Sequence, residues 1–139
     1  MRFEQAIEIS APQQRVWDVL TDIEAWPRRI DTVDAVEPLT PVPLGVGSRV
    51  RLRQPKLPEA VWEITSWAPP SSFEWISKSS GMTIIAGHCV DAVGDGARLT
   101  LTIEMRGPLV PLFGRLSAGL TNDYMAREAE AIRLASETS

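Results

Sequence analysis

The clearest signal in the sequence is a strict alternation of apolar and polar side chains that gives way to a helical pattern near residue 107. The apolar side of the alternation is formed by Leu99, Leu101, Ile103 and Met105. Such a two-residue period predicts a strand with one buried face. From Pro108 to Ser136 the apolar residues recur every three or four positions, which predicts one long C-terminal helix. The chain must therefore fold so that this helix covers the apolar face of a sheet.

Other strand patterns precede this one. Residues 2–9 alternate in the same way, and residues 32–106 hold several apolar runs separated by turns. The segment Gly94-Asp95-Gly96 is typical of a tight hairpin. Two short helices are predicted after the first strand, from the spacing of Val16, Trp17, Leu20 and Ile23. The predicted fold class is α+β, a curved antiparallel sheet of about seven strands wrapped around the long helix, in a single domain over residues 1–139.

One face of the long helix carries most of its large apolar residues. They are Leu109, Phe113, Leu116, Leu120, Tyr124 and Ala131. We expect this stripe to face the sheet, because an amphipathic helix buries its apolar side. Arg127 and Glu130 lie away from the centre of the stripe and are expected in solvent.

Charge and composition exclude several classes of function. The formal net charge is −4, whereas nucleic-acid binding normally requires a basic surface. The chain has one cysteine, Cys89, and one histidine, His88, so we expect no disulfide, no metal site and no cofactor. No apolar run approaches the roughly 18 residues of a membrane-spanning helix, and the N-terminus lacks the apolar segment of a signal peptide. We therefore expect a cytoplasmic protein that binds no nucleic acid and does not insert into a membrane.

Several segments resemble a known superfamily. The first three are Ile9-Ser10-Ala11-Pro12, the helical segment Val16-Trp17-Asp18-Val19-Leu20-Thr21-Asp22, and Trp26-Pro27. Together with Val61-Trp62-Glu63-Ile64, Phe73-Glu74-Trp75 and residues 94–100, they resemble the START-like, or SRPBCC, superfamily, and within it the bacterial polyketide cyclase/dehydrase-like proteins. The resemblance implies a helix-grip fold with a deep cavity between the sheet and the C-terminal helix. The superfamily includes lipid carriers, hormone receptors and polyketide aromatase/cyclases, so the fold alone does not assign a function. The oligomeric state is left open, a homodimer included.

Strand parity and helical position select the residues expected to line that cavity. They are Trp62, Trp75, Ser77, Ile84, Ala86, His88, Leu101, Ile103, Phe113, Leu120 and Tyr124. The two tryptophans would present flat surfaces to an apolar or aromatic ligand, while His88 and Tyr124 would supply an imidazole and a hydroxyl. Each polar or aromatic candidate also has a structural interpretation. The tryptophan rings and His88 could fill the core, Tyr124 could place its hydroxyl at the rim, and Ser77 could end a strand.

These residues support two main functions. The first is binding or carriage of a small hydrophobic molecule, whether lipid-like, polyketide-like or aromatic. The second is a cyclase, aromatase or dehydratase, in which His88 removes a proton next to a carbonyl group and Tyr124 donates a hydrogen bond to the carbonyl oxygen. A regulatory role in protein interaction is a third class. The scarcity of polar groups that converge on one point favours the first function.

Overall fold

Seven strands form one antiparallel sheet in the computed structural model, which describes residues 1–138. The strands are β1 (Arg2–Ile9), β2 (Ala35–Pro38), β3 (Arg49–Arg53), β4 (Ala60–Ala68), β5 (Ser72–Ser79), β6 (Met82–Val93) and β7 (Gly96–Arg106). After β1 come α1 (Gln13–Thr21), a short 3-10 turn (Ile23–Ala25) and α2 (Trp26–Arg29), and the long helix α3 covers Val110–Glu137. The predicted fold class is confirmed, and Ser139, the last residue of the predicted domain, lies outside the described residues.

The order of strands in the sheet is β1-β7-β6-β5-β4-β3-β2. Only the pairing of β1 with β7 joins strands that are distant in sequence, while the others follow one another as hairpins. The predicted turn at residues 94–96 joins β6 to β7, and Gly94 adopts a φ of 58° that favours glycine. Along β7 the side chains of Leu99, Leu101 and Met105 are buried, as the alternation predicts.

The long helix packs unevenly on the sheet. It contacts β1 most extensively, and α1 and β7 less so. A Cβ added at Gly114 would lie 2.6 Å from Sδ of Met1, so glycine at this position leaves room for the Met1 side chain between α3 and the start of β1. Because the helix lies close to this side of the curved sheet, space remains between it and the middle strands.

The predicted apolar stripe of α3 is not the face that packs on the sheet. The buried residues are Val110, Gly114, Met125, Ala129, Ile132 and Ser136. Leu116 is 75% exposed and Leu120 is only half-buried. At 3.6 residues per turn, the buried face is rotated by roughly a third of a turn from the predicted stripe. Small side chains form much of that face because they allow the helix to approach the sheet closely, whereas a row of leucines would hold it away.

Candidate functional site

A cavity of about 470 Å³ lies between α3 and the sheet. Strands β3 to β7 supply one wall, and α3 supplies the other. The predicted cavity residues found on its surface are Trp62, Trp75, Ile84, Ala86, His88, Leu101, Ile103, Phe113 and Tyr124. Leu109 and Phe113 line the cavity and are 39% and 46% exposed, so they mark its entrance near the start of α3. Most of the remaining surface is aliphatic or aromatic.

Two of the predicted cavity residues, Ser77 and Leu120, do not line it. Ser77 shares the strand face of Trp75, but the hydroxyls near this end of the cavity come from Ser79 and Ser80 at the β5–β6 turn. Leu120 lies at the edge of the helix face because α3 is rotated from its predicted orientation. The positions on α3 that line the cavity beyond Phe113 are Ser117, Thr121, Tyr124, Met125 and Glu128.

Aromatic rings form one continuous cluster along the cavity wall. The ring centroids of Trp62 and Trp75 are 5.6 Å apart, and Trp26 meets Trp75 edge-on at the same separation. Trp26 also donates from Nε1 to the carbonyl oxygen of Leu20 at 3.0 Å, which ties this cluster to α1. Because each ring is held by its neighbours, the wall presents a flat and rigid surface.

The His88 side chain is buried among these rings. Nδ1 lies 3.3 Å from the carbonyl oxygen of Phe73. A carbonyl can only accept, so Nδ1 carries the proton and Nε2 remains available as an acceptor. Burial lowers the pKa of His88 from 6.5 to about 4, and the bond to Phe73 offsets only part of that shift. The imidazole is therefore neutral and weakly basic at physiological pH.

Tyr124 lines the cavity from α3, but its hydroxyl proton is already engaged. The hydroxyl donates to the carbonyl oxygen of Pro55, which lies between β3 and β4. Burial, and after it the negative charges of Asp123 and Asp34, raise the pKa of Tyr124, so the hydroxyl stays protonated. The oxygen can still accept a hydrogen bond from a ligand, whereas the donor role predicted for Tyr124 requires the bond to Pro55 to break.

The sequence analysis missed the most unusual polar group in the cavity, which is Glu128. Its side chain is half-buried and lines the cavity, one helical turn after Tyr124. It has no hydrogen-bond or ion-pair partner among residues 1–138. Burial raises the pKa of this carboxyl from 4.5 to about 7. The spacing of four residues from Tyr124 is the signal that places Glu128 on the cavity face.

A second unsatisfied group belongs to Trp62. Its indole Nε1 is buried and has no hydrogen-bond partner in the described part of the chain. Trp62 as a whole is only 7% exposed and lines the cavity. An indole nitrogen can only donate, so this buried N–H carries the cost of a donor without an acceptor, while the face of the ring contributes to the cavity wall.

A second concavity, of about 750 Å³, lies on the outer side of α3 and is open to solvent. Two of its charged side chains, Arg15 and Arg127, are engaged with the protein itself. Arg15 donates to the carbonyl oxygens of Ala135 and Thr138, and Arg127 pairs with Asp31 and Asp123 at 3.0 Å. These contacts stabilise the end of α3 and its junction with the N-terminal helices. The cavity beneath α3 is the better candidate for a ligand site.

Comparison with known proteins agrees with this architecture. A family model described as "Polyketide cyclase / dehydrase and lipid transport" matches residues 1–137. No curated protein sequence matches the chain. Among the described residues, no helix combines the length and the apolar character needed to cross a membrane.

Several solved structures share the fold over almost the whole chain. A START superfamily protein from Mycobacterium smegmatis is 16% identical, with a TM-score of 0.76, covering 95% of this chain and 96% of that one. Norcoclaurine synthase from Thalictrum flavum, in complex with dopamine and hydroxybenzaldehyde, is 16% identical, with a TM-score of 0.77. The match covers 100% of this chain and 88% of that one. The di-domain ARO/CYC StfQ from the steffimycin biosynthetic pathway is 11% identical, with a TM-score of 0.76, covering 98% of this chain and 50% of that one. At these identities the likeness shows the fold, which is the START-like fold expected from the resemblance.

Proposed function

This chain belongs to the polyketide cyclase / dehydrase and lipid transport family, and from that premise we propose that it binds a small hydrophobic molecule beneath α3, as a carrier or binding protein. The observation that carries the proposal is the cavity of about 470 Å³ with its largely apolar wall. That volume is within the range of sites for small organic ligands. Removing apolar ligand surface from water contributes roughly 25 cal/mol per Å², which supplies the main driving force.

The aromatic cluster supports a ligand with a flat body. Trp62 and Trp75 line the cavity with rings that neighbouring side chains already hold in place. A preformed wall reduces the conformational entropy lost on binding. A planar or aromatic molecule would therefore use this surface better than a flexible chain of equal area.

Two measurements test the binding proposal. Native mass spectrometry of the protein purified from its own host should detect a defined small apolar molecule in near-stoichiometric amount. Isothermal calorimetry with 2-(1-naphthyl)ethanol, a neutral aromatic probe, should then show saturable binding with a negative heat-capacity change. A protein that carries no molecule from its host and does not bind the probe would contradict the proposal.

The second candidate function is a cyclase, aromatase or dehydratase with His88 as the base. The observation that favours it is the fixed tautomer of His88, which leaves Nε2 as an acceptor on a ring that lines the cavity. A pKa of about 4 makes this nitrogen a weak base for abstracting a proton at neutral pH, which is why we place carriage first. The experiment is to incubate the released host ligand with pure protein. Conversion to a product of different mass, lost in His88→Ala with ligand affinity retained, would establish the enzyme and overturn the carrier.

A further inference from the structure

Among residues 1–138, the cavity is lined by one carboxyl group and by no cationic side chain, and from this we propose that its ligand is a hydrophobic amine whose ammonium group pairs with Glu128. The inference rests on the proposed function, because it names the class of molecule that the same cavity takes. Glu128 would bind the polar end of the ligand, whereas the apolar wall of the cavity would contact its body.

The charge distribution around the cavity carries the argument. The titratable side chains that line it, within residues 1–138, are His88, Tyr124 and Glu128. Strands β3 to β7 contribute no lysine, arginine or acidic side chain to its surface. His88 is neutral, and the Tyr124 proton is bonded to Pro55. Glu128 therefore supplies the only negative charge that a ligand in this cavity would meet.

The helix itself does not compensate Glu128. The residues three and four positions away are Tyr124, Met125, Ala131 and Ile132, none of which is a cation. Arg127, the residue before Glu128, directs its guanidinium to Asp31 and Asp123. A carboxyl that lines an apolar cavity without a partner is an unfavourable arrangement unless a ligand completes it.

An ammonium group is the ligand feature that removes this cost most directly. It would place a positive charge against Glu128 in surroundings of low dielectric, where a charge-assisted hydrogen bond is strong. A ligand with a carboxylate, such as a fatty acid, would instead bring a like charge into a cavity without a cation. The charge distribution thus selects amines over acids that have the same apolar body.

The inferred ligand is therefore an amine with a flat apolar body, whose ammonium would meet Glu128 while its body lies against Trp62 and Trp75.

The test compares three probes that share one body. They are 2-(1-naphthyl)ethylamine, 2-(1-naphthyl)ethanol and 1-naphthylacetic acid, each titrated into the protein by isothermal calorimetry at pH 7.5. Wild type should bind the amine at least about tenfold more tightly than the alcohol, and the acid most weakly. Glu128→Gln should abolish the preference for the amine, so that this variant binds the amine and the alcohol with affinities within about threefold of each other. Glu130→Gln, on the same helix but paired with Arg133, is the matched control and should retain the preference.

Proton linkage gives a readout that needs no variant. Glu128 has a pKa of about 7 in the free protein, so pairing with an ammonium at pH 7 should release roughly half a proton per amine bound. Calorimetry in two buffers of different ionisation enthalpy measures this number. No proton release, or proton uptake, would overturn the inference.

The outcomes separate this inference from the function on which it rests. If the alcohol binds and the amine binds no more tightly, the cavity is a ligand site but the pairing with Glu128 is wrong. The same conclusion follows if the acid is preferred. If none of the three probes binds, the inference is overturned, and the proposed function is overturned with it if the protein also carries no molecule from its host.

Discussion

The imidazole ring of His88 lies flat against the phenyl ring of Phe73, with centroids 4.0 Å apart and planes tilted by 8°. The same pair is joined by Nδ1 of His88 and the carbonyl oxygen of Phe73. Both contacts follow from strand pairing, since Phe73 on β5 is directly opposite His88 on β6. Trp75 meets the imidazole edge-on from the same strand. The ring is thus held in one orientation and one tautomer, in surroundings that oppose its protonation.

His88 should make the protein less stable in acid. Its pKa is 6.5 in the unfolded chain and about 4 in the folded chain, so the unfolded state binds the proton first as the pH falls. The contribution of His88 to the free energy of unfolding should therefore decrease between pH 6.5 and pH 4, by about 3 kcal/mol at roughly 1.4 kcal/mol per pKa unit. Urea unfolding of wild type and His88→Gln across this range measures the contribution. An identical pH slope in both proteins would contradict it.

Glu128 should have the opposite effect on stability, making the protein less stable as the pH rises. Its pKa is 4.5 unfolded and about 7 folded, so the folded state holds the proton more tightly, and stability should be lost as the pH rises from 4.5 to 7. Glu128→Gln removes a carboxylate that lines an apolar cavity without a partner, and should raise the free energy of unfolding at pH 8 by about 1–3 kcal/mol. Glu130→Gln loses an exposed ion pair and should cost less than about 1 kcal/mol. A Glu128→Gln protein that is less stable than wild type at pH 8 would show that the carboxylate has a partner.

The two linkages oppose each other in wild type. Between pH 5 and pH 6.5 the loss from His88 on acidification should be offset by the gain from Glu128, so the stability of wild type should change little over this range. In His88→Gln, the free energy of unfolding should show only the dependence on pH that Glu128 causes. In Glu128→Gln, it should show only the dependence that His88 causes. Chemical unfolding of the three proteins at half-unit intervals of pH is the measurement. If the free energy of unfolding varied with pH in the same way in all three, neither residue would contribute as described.

Filling the cavity should remove binding without unfolding the protein. Ala86 lies on β6 at the cavity surface and is 5% exposed. Ala86→Leu adds three carbon atoms that the cavity can accommodate, so the change in stability should stay within about 1.5 kcal/mol. The affinity for 2-(1-naphthyl)ethanol should fall at least about tenfold because the added side chain occupies ligand volume. Ala92→Leu makes the same change at an exposed position of the same strand and should bind as wild type does. Equal affinity in both variants would place the ligand elsewhere.

The bond between Tyr124 and Pro55 should hold the segment between β3 and β4 over the cavity. Gln54, Leu57 and Pro58 of this segment line the cavity. Tyr124→Phe removes the hydroxyl and should lower the free energy of unfolding by about 1 kcal/mol. It should also speed amide hydrogen exchange in residues 54–59, because the segment opens more often. Asn122→Ala, which loses an exposed bond to Ala118, is the control and should leave exchange there unchanged.

Much of the fold could be predicted from local pattern. The alternation along β7 and the turn at Gly94-Asp95-Gly96 depend on two-residue period and on backbone conformation, which a sequence displays directly. The helical spacing between Val16 and Ile23 likewise predicts α1 and the turn after it. Most of the predicted cavity wall also follows, because once one strand position faces inward its neighbours at i+2 do as well.

The face of α3 and the role of Glu128 could not be predicted in the same way. The apolar pattern favours the face richest in leucine, whereas the buried face of α3 includes the small residues Gly114 and Ala129, which an apolar pattern does not single out. The rotation of the helix then carries Glu128 onto the cavity surface. Its burial and raised pKa depend on which side chains surround it in three dimensions, and no spacing in the sequence contains that information.

The rotation of α3 gives a direct test in two substitutions. Leu116, at the centre of the predicted stripe, is 75% exposed, whereas Ile132 is fully buried on the observed face. Leu116→Ala should change the free energy of unfolding by no more than about 0.5 kcal/mol, as is usual for a surface substitution. Ile132→Ala removes buried carbon atoms and leaves a space that neighbours fill only in part, so it should cost about 2–5 kcal/mol. Urea unfolding at pH 7 compares the two variants. A larger loss from Leu116→Ala than from Ile132→Ala would mean that the leucine stripe packs on the sheet, and it would also remove Glu128 from the cavity.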